Sequence, residues 1–299
     1  MSEWKVREAY MRASSFLLER GVEEHTVSAE RLLQAVLGVS RTRLLSLWSD
    51  PIEEDDYALL WALVQRRAAG EPVQYIVGET SFCGLTFRVN RDVLIPRSET
   101  ELLVERMITH ADRLWGEGHP VKAVDVGTGS GAIAVTMAAR RPAWHVMASD
   151  ISAEALRVAA DNAARNGVGH QVQWYQGDLL APIWSERDRA GAERIDVLVS
   201  NPPYIASSDI DGLQREVRDF EPHLALDGGE DGLDLYRRLV AQMEAHGCWP
   251  RLVGFEVGFG QAQAVKVLME ATRQWDQVEI VQDFATIERH VIAWQTNKQ

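Results

Sequence analysis

Two cysteines in 299 residues, Cys83 and Cys248, are too few and too far apart in sequence for a disulfide framework or a zinc site. Two unlinked thiols in a reducing compartment, and no bound metal, are the expectation. Long apolar runs are missing as well. No stretch approaches the roughly 18 residues that cross a bilayer, and the charged segment Met1 to Tyr10 lacks the apolar heart of a secretory leader. A cytoplasmic protein with no membrane partner is expected. There is no basic run either: 31 Lys and Arg against 44 Asp and Glu give a net charge of −13. Such a field repels a polyanion at long range and argues against direct nucleic-acid binding, although it allows a local basic patch. Repeats and low-complexity tracts are absent. What remains is 46% hydrophobic and 25% charged, the composition of a folded protein with a full core. The length suits one large domain plus a small one.

Residues 1–70 carry helical periodicity. Trp4, Ala9, Met11, Phe16 and Leu17 fall at helical spacing before Gly21, and Ser28 is positioned to cap a helix over 29–37 that stops at Gly38. Ser40 opens a short helix through Leu47. Asp50-Pro51 starts another that runs to Ala69, with Tyr57, Leu60, Trp61 and Val64 on one face. A small bundle over 1–70 follows, read as a substrate-recognition domain rather than a structural cap. From Gly70 to Gly78 the pattern turns extended. Leu85 to Val89 alternates with period two, and 93–97 is extended again, so a β-hairpin linker is placed at 71–97. Ser98-Glu99-Thr100-Glu101 reads as an acidic helix start.

The domain over 98–299 reads as α/β. Strands at 121–126, 144–149, 171–175, 195–200, 251–257, 277–282 and 287–294 alternate with helices at 99–114, 130–140, 153–166, 233–246 and 261–273. A mainly parallel sheet covered on both faces is predicted, with an antiparallel final strand because no helix precedes it. The polar segment 185–193 reads as a surface loop.

Ser200-Asn201-Pro202-Pro203-Tyr204-Ile205 follows the apolar run Ile195 to Val199. Paired prolines forbid both a helix and a continuing ladder, so the chain leaves the sheet at Asn201. That exit lies at the carboxyl edge of a strand, where ligands bind in open α/β sheets. A plain strand-ending turn would explain the prolines but leave the amide and the ring idle. Asn201 offers an acceptor oxygen and two donor hydrogens, and the Pro202 carbonyl is a second acceptor. Together they can hold an NH₂ group with its lone pair aimed at an electrophile, with Tyr204 against its plane.

Gly127-Thr128-Gly129-Ser130-Gly131 joins a strand to a helix, and Asp150 ends the next strand, suited to the hydroxyls of a ribose. Gly127, Gly129 and Ala132 also satisfy the relaxed dinucleotide pattern, so the loop alone indicates only an adenosine-containing cofactor. Asp125, just before the loop, favours a ligand with a cationic centre such as S-adenosylmethionine over a pyrophosphate. Asp178 is placed to accept from an adenine amino group. Both also read as solvated or capping carboxylates.

With these residues assembled, the chain resembles the release-factor glutamine N5-methyltransferase family (PrmC/HemK). The likeness covers most of the chain beyond about residue 70. It includes Pro72-Val73-Gln74-Tyr75-Ile76, Leu94-Ile95-Pro96-Arg97 with Glu99-Thr100-Glu101, the glycine loop, Asp150-Ile151-Ser152 and Asn162-Ala163. It continues through the Asn-Pro-Pro-Tyr turn, Glu216-Val217-Arg218, Glu221-Pro222, Ala225-Leu226, Gly228-Gly229 and Gly232-Leu233-Asp234. The turn by itself is shared with amino-methyltransferases of adenine or guanine; the flanking segments are more specific.

The resemblance implies a Rossmann-like class I S-adenosylmethionine-dependent methyltransferase domain with a small N-terminal helical bundle and a linking β-hairpin. It implies cofactor contacts from Gly127, Thr128, Gly129, Ser130, Gly131, Asp150, Asp178, Leu179 and Asn201. The substrate would be the glutamine of the Gly-Gly-Gln loop in class-1 peptide chain release factors, held by Asn201, Pro202, Pro203 and Tyr204. A release factor would contact the helical domain, and a monomer is expected. A base amino-methyltransferase acting on RNA or DNA, and a dinucleotide-dependent oxidoreductase or binding module, are the competing readings. Three departures stand out. Ser98 replaces a second proline beside Arg97, Cys248-Trp249-Pro250-Arg251 replaces a Pro-Gly-Gly turn, and Leu179 stands where some members carry an aromatic residue.

Overall fold

In the computed structural model, which describes residues 4–190 and 194–296, the chain opens with α1 (Val6–Glu19), α2 (His25–Leu37), α3 (Arg41–Ser46), α4 (Glu54–Ala68) and α5 (Val73–Val77). A hairpin of β1 (Glu79–Phe82) and β2 (Leu85–Arg88) leads to α6 (Ser98–Trp115), β3 (Lys122–Val126), α7 (Ala132–Arg140), β4 (His145–Asp150), α8 (Ala153–Arg165) and β5 (Val172–Gln176). Then come α9 (Ala181–Ala190), β6 (Val197–Ser200), α10 (Arg215–Phe220), α11 (Asp234–Ala245), β7 (Leu252–Glu256), α12 (Ala262–Ala271), β8 (Gln277–Gln282) and β9 (Glu288–Trp294). Two compact units result: one holds the chain up to Glu79 together with 214–220, the other Thr80–Leu213 and the chain from Glu221 onward.

The first unit closes around the apolar faces of its helices, with Leu17, Leu32, Leu33, Leu44, Leu60 and Val64 fully buried. Ser28 does not cap α2. The helix starts three residues earlier, Ser28 N–H bonds back to Glu24 O (2.8 Å), and the buried hydroxyl accepts from Arg67 Nε (3.2 Å). A tertiary partner has overridden the local capping preference. Arg67 also donates to Glu71 O (3.3 Å) and pairs with Glu216 (2.8 Å), which ties α10 into this unit. The segment from Gly70 to Gly78 is not extended throughout. Pro72 fixes the φ of a helical entry, Tyr75 and Ile76 N–H both bond to Pro72 O (3.1 Å), and α5 forms despite its β-branched residues.

In the second unit, Cys83 and Gly84 take positive φ (51° and 81°) and make the tight turn between β1 and β2. The main sheet has the order β5-β4-β3-β6-β7-β9-β8, parallel except for β9, which is antiparallel to both its neighbours. Side chains alternate between two cores. Ala123, Val197 and Val199 face Leu103, Met107, Ile133 and Val135. Val124, Val126 and Leu198 face Ile183, Trp184, Tyr236, Leu239 and Val265. Helices thus cover both faces, as expected for buried parallel strands. The expected surface loop at 185–193 is largely helical: α9 runs on to Ala190 and is seated by the buried Ile183 and Trp184, while residues 191–193 lie outside the described residues. The unusual turn before β7 is held by tryptophans. Trp249 packs edge-on against Trp275 with ring centroids 5.5 Å apart, and Trp275 Nε1 donates to Pro250 O (2.9 Å). Among the described residues no helix is long and apolar enough to cross a membrane.

Candidate active site

β3, β4 and β6 end side by side, pairing Val126 with both Ser149 and Ser200. Functional side chains therefore converge from three strand ends. Gly127 and Thr128 N–H both bond to Ser149 O (2.9 and 3.0 Å), which turns the glycine loop over the end of β4. A Cβ at Gly127 or Gly129 would meet nothing within 4 Å, whereas one at Gly131 would sit 3.0 Å from Ala159 Cβ and 3.1 Å from its Cα. Gly131 therefore allows α7 and α8 to pack closely, while the first two glycines face open space. Asp150 accepts from Gly129 N–H through Oδ2 and from Ser152 N–H through Oδ1, each at 2.9 Å. Burial raises its pKa, and these backbone donors oppose the shift.

Asp125 takes the second of its two readings, that of a capping carboxylate. It is fully buried, accepts from Thr128 Oγ1 (2.6 Å) and Ala134 N–H (3.1 Å), and is pushed up to about 7 by burial. It braces the loop from behind. Ser130 is buried too, and its carbonyl accepts from Asn162 Nδ2 (2.9 Å).

At the end of β6, Ser200 Oγ donates to Val126 O (2.7 Å), and the chain turns out of the sheet. Asn201 Nδ2 donates to Thr100 Oγ1 (3.1 Å), and Thr100 Oγ1 donates to Glu256 Oε2 (2.7 Å). A hydroxyl has one proton; given to the carboxylate, it leaves only a lone pair for Asn201. That assigns the amide nitrogen to Thr100 and leaves Oδ1 as the free acceptor. Burial pushes Glu256 up to about 7 and raises the Tyr204 phenol. The segment after the turn is seated by Ile205, whose N–H bonds to Leu226 O (3.0 Å) and whose carbonyl accepts from Gly228 N–H (2.8 Å). A Cβ on Gly228 would come within 2.8 Å of Pro203 O and of Tyr204 Cα, so the two backbones touch. Arg97 is ion-paired with the buried Glu221 (2.6 Å), which anchors the segment before α6 beside this turn's support.

A cavity of about 420 Å³ joins these pieces, within the range typical of small-molecule sites. Gly127, Gly129 and Asp150 line one part, Asp178 and Leu179 another, and Asn201 and Pro203 a third. Val93, Leu94, Ile151 and Leu224 supply apolar wall. Thr128, Ser130 and Gly131 stand behind the wall rather than in it. Pro202 is buried, and the Tyr204 ring packs into the core shared with Tyr236 and Phe255. Asp178 lines the cavity with its carboxylate engaged by Arg238 (2.5 Å) and Gln242 (3.2 Å), and Leu179 takes a positive φ of 51°. Open glycine backbone, a carboxylate held by backbone donors and an apolar wall suit an adenosine with a cationic tail.

Sequence reasoning missed three contributors. In the sequence Thr100 reads as part of a helix start, Asn162 only as a family-like residue, and Glu256 carries no reading. The signal for Glu256 is available: it ends a strand, as Asp150 does.

Residues 8–78 match the model of the PrmC N-terminal domain, and residues 98–229 that of the methyltransferase small domain. A release factor glutamine methyltransferase of Bacillus subtilis (strain 168) is 41% identical over 96% of this chain and 96% of its own. One of Bacillus cereus is 39% identical over 97% and 99% respectively. Among solved structures, the human METTL16 catalytic domain in complex with MAT2A 3'UTR hairpin 6 aligns with a TM-score of 0.54 at 15% identity, covering 83% of this chain and 84% of that one. The N-terminal domain of human METTL16 in complex with SAH aligns at 0.51 and 16%, over 85% and 87%. At such identities the structures speak for the fold, a methyltransferase α/β sheet. The sequence relatives, alike nearly end to end, carry more, and by them this chain belongs to the family of release factor glutamine methyltransferases.

Proposed function

We propose that the protein methylates the side-chain amide nitrogen (N5) of a glutamine in the Gly-Gly-Gln loop of class-1 peptide chain release factors, with S-adenosylmethionine as methyl donor. The observation that carries this reading is one cavity lined at once by Gly127, Gly129 and Asp150 and by Asn201 and Pro203. Gly127 and Gly129 would admit the donor close to the backbone, Asp150 would take its ribose hydroxyls, and Leu179 would lie against its base. Bound there, S-adenosylmethionine supplies a methyl group activated by the sulfonium charge.

The chain's own residues do the rest. An amide nitrogen is a poor nucleophile because its lone pair is delocalised. Asn201 Oδ1 and the Pro202 carbonyl would accept the two N–H bonds of the substrate carboxamide and turn its lone pair toward the methyl carbon, so that binding energy becomes alignment. Pro203 would stiffen that grip and Tyr204 would back it from the core. No general base is required: as the nitrogen–carbon bond forms, the nitrogen becomes strongly acidic and its proton leaves to water. The helical unit would bind the release factor, and an acidic monomer acting in the cytoplasm on a protein fits the net charge of −13 better than one acting on nucleic acid.

The test is incubation with methyl-labelled S-adenosylmethionine and purified class-1 release factor, followed by mapping of the labelled peptide. Label on the glutamine of Gly-Gly-Gln is expected. Label in added RNA or DNA instead would favour the base amino-methyltransferase reading.

A further inference from the structure

We propose that Glu256 is a positioning residue for methyl transfer, acting through the Thr100 hydroxyl to hold the Asn201 carboxamide with Oδ1 toward the substrate, so that only the ionised form of Glu256 supports transfer. The proposal rests on the glutamine-methyltransferase reading and adds a condition to it.

Glu256 ends β7, the strand paired with β6, whose own end carries Asn201. It is almost completely buried, and its carboxylate accepts from Thr100 Oγ1 (2.7 Å), which receives Asn201 Nδ2–H (3.1 Å). Its backbone carbonyl is taken by Tyr236 OH (2.7 Å), so the strand end that carries the carboxyl is fixed as well. The direction of the relay follows from counting protons. An ionised carboxylate can only accept, which commits the single Thr100 proton to it and leaves Thr100 able only to accept from Asn201. The amide then has one allowed orientation.

A protonated Glu256 can itself donate to Thr100. The Thr100 proton is released, either face of the Asn201 amide can be satisfied, and the enforced direction is gone. The flipped amide would present N–H donors to the N–H donors of the substrate carboxamide, a repulsive match.

The charged and titratable groups facing Glu256 are few. Glu99 on α6 opposes its ionisation, while Arg97 before α6 and Arg289 on β9 favour it; the Tyr204 and Tyr236 phenols stand near, and His290 is its register partner on β9. His290 Nε2 donates to Glu99 O (2.9 Å), and burial holds this imidazole down at about 4, so it adds no charge near neutrality. Burial is the larger influence on Glu256 and holds its carboxyl up at about 7, so both forms are accessible near neutral pH.

The experiment is single-turnover methyl transfer to purified class-1 release factor at saturating S-adenosylmethionine, from about pH 5.5 to about 8.5. It compares the wild-type chain, Glu256→Gln, Thr100→Val and Thr100→Ser, with cofactor affinity measured by calorimetry. Wild type and Thr100→Ser should rise through one ionisation near neutrality to a plateau. Glu256→Gln and Thr100→Val should lose that rise and run at least about 10-fold below the plateau, with cofactor affinity changed by less than about 3-fold. A Glu256→Gln enzyme with the wild-type rate and profile overturns the proposal. If that variant does not bind cofactor and so has not folded, Thr100→Val, which leaves the carboxyl in place, decides in the same way. A wild-type chain that transfers no methyl group to the release factor overturns the functional reading instead, and this proposal with it.

Discussion

The Asn162 carboxamide closes on both backbone groups of Arg88: Oδ1 accepts from its N–H at 2.7 Å, and Nδ2 donates to its carbonyl at 3.0 Å. The remaining Nδ2 hydrogen reaches Ser130 O at 2.9 Å. One fully buried side chain on α8 therefore pins the second hairpin strand and the glycine loop together. Removing it leaves three backbone groups unmatched, at about 1–3 kcal/mol each where water cannot reach them. Asn162→Ala should lose about 3 kcal/mol or more of unfolding free energy in urea. Asn162→Asp should do little better, since a carboxylate would face two carbonyl oxygens. A loss below about 1 kcal/mol would show that the loop and hairpin stand without the pin.

Asn201→Ala removes the acceptor offered to the substrate amide while touching none of the bonds around Asp150. Methyl transfer to release factor should fall at least about 100-fold, with cofactor affinity within about 3-fold of wild type. Single-turnover kinetics and calorimetry on the same preparation check both. A near-wild-type rate would remove Asn201 from the chemistry.

Gly228→Ala acts one layer out. The new Cβ would press on Pro203 O at 2.8 Å and on Gly232 Cα at 2.9 Å, backbone atoms that cannot swing aside. The Asn-Pro-Pro-Tyr turn must shift. Transfer should drop at least about 10-fold, more than cofactor binding does. Equal losses in both would mean general misfolding rather than displacement of the turn.

Asp125→Asn should alter how stability depends on pH. Burial lifts the folded-state pKa from 3.8 to about 7, while the unfolded chain keeps the ordinary value. Between those limits the folded protein binds a proton that the unfolded chain releases. The stability contributed is therefore complete below the unfolded pKa and is lost as pH rises to about 7, by on the order of 4 kcal/mol at most. Glu256 has the same sign, and His290, held down at about 4, has the opposite one. With Asp125 replaced, the melting temperature relative to wild type should be higher at about pH 8 than at about pH 5. A difference independent of pH would mean that Asp125 titrates normally.

The sheet was legible because its strands are apolar runs and its helices begin at glycines, serines and acidic residues, all local signals. What stayed hidden was set by partners distant in sequence. Ser28 looks like a cap until Arg67 is seen to need it. Val73 to Val77 looks like a strand until Pro72 O is seen to gather two N–H groups. Glu216 reads only as part of a family-like segment, yet Arg67 draws it into the helical unit. In the site, Asn201 and the glycine loop announce themselves through backbone chemistry. Thr100 and Glu256 do not, because the bond that matters joins residues 156 positions apart. Asp125 stays open between ligand contact and capping carboxylate because its strand position is visible and its bond to Thr128 is not.

The antiparallel β9 lies between β7 and β8, and β8 has no other partner in the sheet. During synthesis β8 emerges first but must wait, unpaired, until β9 has docked on β7 and offered it an edge. Until then the apolar residues of β8 and the ladder groups of β7 are open to other chains, which makes this corner a site of misassembly risk. Its closure also delivers His290 to Glu99, so the entrance to α6, with Thr100 one residue on, gains this second brace only when the sheet is complete.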